Sequence, residues 1–131
     1  MTNSIVSYST IICADSSVAI SEQVQQLLKP ILSTQTALKV ALLVEEMLMI
    51  IKNVNVNRGR TNTIADIRVV QSADHVIVLV YDNGCPFNLS KQAEKNEYSL
   101  NRYLVETITD NIDAYRISEL NVNKCILALH P

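Results

Sequence analysis

Hydrophobic and polar positions along the chain fall into eight blocks, and the period within each block predicts its element. Residues 5–13 (IVSYSTIIC) are rich in β-branched and aromatic side chains and predict a strand. Asp15, Ser16 and Ser17 then offer N-cap side chains, and Val18, Val24, Leu27, Leu28 and Ile31 recur at helical spacing up to Pro30 and just beyond. A second group of caps, Ser33 to Thr36, opens the longest helical block, expected to reach about Asn53 with Leu38, Leu42 and Met49 on one side. The polar stretch 55–62 (NVNRGRTN) predicts a turn. Residues 63–70 and 75–81 predict strands joined by the short link 71–74, which suits an antiparallel hairpin. The run Val76-Ile77-Val78-Leu79-Val80 is continuously apolar, as for a strand buried on both faces. A loop over 82–96, a helix over 97–110 and strands at 111–117 and 122–130, turning at 119–121, complete the pattern. The order β-α-α-β-β-α-β-β predicts an α+β two-layer sandwich. Its sheet is expected to be mixed, mostly antiparallel and of about five strands, with three helices on one face.

Composition narrows the function classes. The chain has 131 residues, 48% hydrophobic and 18% charged, which suits a single domain over 1–131 with a core of its own. Eleven basic and thirteen acidic residues leave a formal charge of -2 and no basic patch suited to nucleic acid. Cys13, Cys85 and Cys125 are far apart and lack metal-ligand spacing, so free thiols in a reducing cytoplasm are expected. The most apolar block, 38–51, is interrupted by Lys39, Glu45 and Glu46 and is too short to enter a membrane. With only Gly59 and Gly84 available, a mobile glycine-rich loop has little to be made from.

Three segments carry candidate chemistry. The first is Val44-Glu45-Glu46-Met47-Leu48-Met49-Ile50 on the long helix. The second is Tyr81-Asp82-Asn83-Gly84-Cys85-Pro86-Phe87 after the apolar strand. The third is Ser99-Leu100-Asn101-Arg102-Tyr103-Leu104-Val105 at the start of the last helix. In this order they resemble the histidine-kinase-like (GHKL, Bergerat-fold) ATPase superfamily, nearest to its bacterial anti-sigma-factor serine kinase branch. They are also similar to ATPase-like domains fused to MATE-type efflux transporters.

The resemblance implies an ATP site with Mg²⁺. In the family, E-x-x-x-N on the long helix supplies a base and a metal ligand, one turn apart on the same face. Glu46 matches the base, but Ile50 stands where the metal-binding Asn should be, so no metal ligand is carried over. Asn53 lies one turn further on. Asp82 and Gly84 match the adenine box, in which a carboxylate accepts from the exocyclic amine and the glycine lets the backbone approach the ring. Ser99 and Asn101 stand where the family has lid glycines, with Arg102 and Lys95 near enough in sequence to neutralise phosphate. The implied activity is a serine/threonine kinase that is weakened or lost, in a cytoplasmic signalling module. Its implied partners are a sigma factor, an anti-anti-sigma-like protein, a second copy of the chain, or its own transporter. The alternative is a non-catalytic domain for protein–protein interaction or nucleotide sensing.

Overall fold

The computed structural model describes residues 4–12, 17–60, 62–87 and 99–129, with the side chains of 4–12 and 99 outside that description. The elements run β1 (Ser4–Ile12), α1 (Ser17–Leu28), α2 (Thr34–Asn57), β2 (Thr63–Gln71), β3 (His75–Asp82), α3 (Ser99–Ile108), β4 (Asn111–Ile117) and β5 (Leu120–Ala128). The expected α+β order is present. The caps at Asp15 and Ser16 and the predicted start of the last helix at 97 lie outside the described residues.

The strands lie in the order β1-β2-β3-β5-β4, and every described pairing is antiparallel. The expected mixed character is therefore corrected. Both connections within β2-β3 and β4-β5 are hairpins, and β5 comes back beside β3 in the opposite sense. Residue pairing stacks the inward side chains in rows: Ala65, Asp82 and Asn121 in one, then Ile67, Val80, Asn123 and Ala114, then Val69, Val78, Cys125 and Ile112. The core lies between these rows and the helices, centred on Leu43, Val44, Met47, Leu48, Ile50, Ile51 and Val54 of α2. The Cys125 thiol meets the Met47 sulfur at 3.7 Å, which places the middle of α2 over β5.

Several local expectations change. β3 alternates between buried and half-buried positions, so Ile77 and Leu79 face away from the helices. One helical layer can bury only one face of a pleated strand. On that other face the Arg68 guanidinium lies 5.5 Å from the centre of the Tyr81 ring. The side of the long helix marked by Leu38 and Leu42 is not the buried one, for they are 46% and 43% exposed. The buried stripe is instead Ala37, Val40, Ala41, Val44, Met47, Leu48, Ile51 and Val54. Ser33 does cap α2, accepting from the Thr36 N–H at 3.2 Å. The helix runs past Asn53 to Asn57, so the turn is shorter than expected. Gly59, at φ +79°, supplies the left-handed residue that ends it. The last hairpin turns at Ser118 and Glu119 rather than at 119–121, because Asn121 pairs with Asp82 inside the sheet. No helix among the described residues is long and apolar enough to cross a membrane.

Candidate functional site

The buried face of the sheet changes chemistry along its length. At one end it is hydrocarbon; at the other, Thr63, Asp82, Asn121 and Asn123 are all buried, with Asp82 fully so. A strand that enters a core as Val76, Val78 and Val80 and leaves it as an aspartate is unusual, since burying a carboxylate is costly unless it is paired.

Asp82 is half paired. Its Oδ1 accepts from the Gly84 N–H at 2.9 Å and from the Asn121 side-chain amide at 2.9 Å. Its Oδ2 is buried and finds no hydrogen-bond partner among the described residues. Burial pushes the carboxyl above the ordinary carboxylate value. Hydrogen bonds from Asn121 and Gly84 and the positive charges of Arg116 and Arg60 pull the other way without cancelling it.

The loop after β3 is held from two sides. From α2, the Asn55 Oδ1 accepts from the Cys85 N–H at 2.8 Å, while its Nδ2 donates to the Ile51 carbonyl at 2.7 Å. From β5, the Asn121 Nδ2 donates to the Cys85 carbonyl at 2.9 Å. Arg116 on β4 donates to the Asn121 Oδ1 at 2.8 Å, and this fixes which end of that amide faces Asp82. Gly84 is required here because a Cβ would fall 2.8 Å from the Asn55 Cγ, inside van der Waals contact. Phe87 packs against the edge of the core.

The Glu46 carboxylate is engaged elsewhere. Its Oε1 accepts from the Asn101 Nδ2 at 2.6 Å, so the residue in the expected lid position is clasped to the candidate base. The neighbouring Glu45 accepts from the Ser21 hydroxyl at 3.2 Å and ties α2 to α1. Ile50 is 0% exposed and part of the core, so its side chain and surroundings do not fit a cation that requires oxygen ligands. Asn53 is half-buried one turn further on. Arg102, expected as a phosphate neutraliser, is buried, with its Nε 3.3 Å from Glu106 of the same helix. Ser99 opens α3, with its side chain outside the described residues, and Lys95 lies outside them altogether. No group of three or more His, Cys, Asp or Glu among the described residues is arranged to hold a metal ion.

Of the buried polar group around Asp82, the sequence singled out Asp82 and Gly84 but not Asn55, Arg116, Asn121 or Asn123, and Glu46 stands apart from it with Asn101. Asn121 and Asn123 had a signal: asparagines at alternate positions of a strand that is apolar apart from them and Lys124, a residue type depleted from strands, placed on the inward face. No protein-family model matches the chain, and no curated protein matches it.

Proposed function

We propose that the chain is a histidine-kinase-like ATPase-fold module whose purine pocket persists at Asp82 while its phosphate chemistry has been lost. On this reading it is a regulatory signalling domain that responds to an adenine nucleotide without transferring phosphate. One observation carries the proposal: a buried carboxylate with one oxygen saturated and the other without a partner among the described residues. An exocyclic amine would supply the missing donor, and a ligand carbonyl at the same place would meet a repulsive acceptor.

Two further features favour the non-catalytic form. Phosphoryl transfer depends on positioned metal and charge at the phosphates. Here hydrocarbon stands at Ile50, and one of the two Glu46 carboxylate oxygens is bonded to Asn101. The domain would then act through a protein partner, either a regulator of the sigma-factor class or the remainder of a larger transporter.

Calorimetric titration with adenosine, and with ATP in the presence and absence of Mg²⁺, tests this. Adenosine should bind, Asp82→Ala should lose at least tenfold in affinity, and ATP should bind equally with or without metal. Strictly Mg²⁺-dependent ATP binding with turnover would overturn the non-catalytic reading. Absence of adenosine binding would overturn the purine pocket.

A further inference from the structure

The helical layer has an outward face as well as the one that covers the sheet, and on α2 the outward face is apolar. Leu38, Leu42 and Val56 are exposed, and Met49 between them is half-buried. They lie opposite the buried Val40, Val44, Met47 and Ile51. Positions 38, 42, 45, 49, 52 and 56 alternate spacings of four and three, the stagger that keeps one stripe turned toward a second helix. Beside this ridge α3 exposes Leu100 and Tyr103. Scattered apolar residues are ordinary on a surface, but a ridge at a helix's own period, with more on the adjoining helix, marks an interaction surface.

The charges along the ridge point to what covers it. Lys39 and Glu46 share the flank that faces α3: Lys39 borders a cleft with Thr107 and Ile108, and Glu46 accepts from Asn101. Seven residues set them about 10 Å apart along the axis, too far to pair within one chain. The ion pairs among the described residues are His75 with Asp74 and Arg102 with Glu106, and Lys39 is in neither. Positions 39 and 46 are equidistant from a two-fold axis crossing α2 between Leu42 and Leu43. Two α2 helices packed antiparallel about that axis bring each Lys39 level with Glu46 of the other copy, twice over. The same axis packs Leu42 on Leu42 and turns Leu38 toward Met49 of the other copy. A parallel pairing would set Lys39 beside Lys39 and Glu46 beside Glu46, so the pattern is self-complementary in one orientation only.

We propose that this face is the interface of a homodimer, with α2 of one copy packed antiparallel on α2 of the other and α3 on α3 beside them. The interface is independent of the purine reading of Asp82. Helices of 12, 24 and 10 residues, spaced about 8–10 Å apart, present a face of about 600 Å². A standard interface takes about 800 Å² from each partner, so the dimer is expected to be reversible, with a micromolar dissociation constant. It sets an ammonium group of the second copy against the carboxylate that Asn101 already holds.

Sedimentation equilibrium of the full chain, from about 1 to about 500 μM, tests this. The wild type should pass from monomer to dimer across that range. Leu42→Glu should stay monomeric throughout, with the circular dichroism and melting temperature of the dilute wild type, because the position is exposed. Lys39→Glu and Glu46→Lys should each weaken the dimer at least tenfold, and the double variant should recover most of the loss. Ile64→Glu, on the sheet face that the helices leave uncovered, should dimerise as the wild type does. A wild type that stays monomeric would overturn the proposal, as would a dimer that survives Leu42→Glu. Loss of the dimer in Ile64→Glu would overturn it by placing the contact on the sheet. Failure of the double variant to recover would overturn the antiparallel register.

Discussion

Asp82 is a carboxylate whose burial opposes its charge, and this gives its contribution to stability a definite sign against pH. Its folded-state pKa is raised, so the folded protein holds the proton more firmly than the unfolded chain. The stability linked to that proton is fully present below the ordinary value of 3.8 and is lost as pH rises through the folded pKa. Asp82→Asn keeps the Oδ1 acceptor but has no charge to form. Urea midpoints of the two proteins should diverge in favour of the variant as pH rises from about 4 and then run parallel. Parallel curves across the whole range would show that the carboxyl titrates as if exposed. A second residue-scale outcome concerns Gly84. Gly84→Ala should destabilise by about 2 kcal/mol through collision with Asn55. Adding Asn55→Ala should cost less than the sum of the single changes, and a denaturant double-mutant cycle measures that coupling. Asp82 and Gly84 were legible in the sequence because a strand followed by Asp-Asn-Gly-Cys-Pro-Phe is a local signal. Asn55 and Asn121 were not, because they come from 30 or more positions away, and only the folded register brings them to the loop.

At the scale of elements, α2 shows what periodicity can and cannot settle. Its existence and its Ser33 cap were readable from 33–53, whereas its last turn, to Asn57, was not. Its buried face was not, because apolar residues occupy more positions than one stripe can use. Leu38 and Leu42 fit a helical period as well as Val40 and Val44 do, and only the sheet beneath selects between them. The same geometry places Ile50 inside the core rather than over a nucleotide. Ile50→Asn should therefore destabilise by about 3 kcal/mol, from lost packing and a buried amide, without creating metal-dependent ATP binding. Thermal melts and titration of the variant with Mg²⁺-ATP check both parts. A variant that stays stable and gains metal dependence would mean that Ile50 borders a nucleotide site.

At the scale of the molecule, the one-sided arrangement explains why the apolar run of β3 misled. Five consecutive hydrophobic residues suit a strand covered on both faces. Here three of them serve the core, while Ile77 and Leu79 lie half-buried on the face that α1, α2 and α3 do not cover. Hydrogen exchange should reflect this order. Amides of β3, flanked by β2 and β5, should be the slowest, and those of the edge strand β4, whose residues are mostly exposed, among the fastest. Equal protection in β3 and β4 would imply that β4's outer edge is covered in solution.

Cys85 is gripped at its N–H from the helical layer and at its carbonyl from the sheet. That single peptide neighbourhood acts as a rivet through both layers. For α2 to slide over the strands, one grip has to open, and opening either one shifts the backbone that frames Asp82. Shear between the layers and the shape of the loop beside Asp82 are thus one motion, so a force that displaces α2 would be felt at the carboxylate.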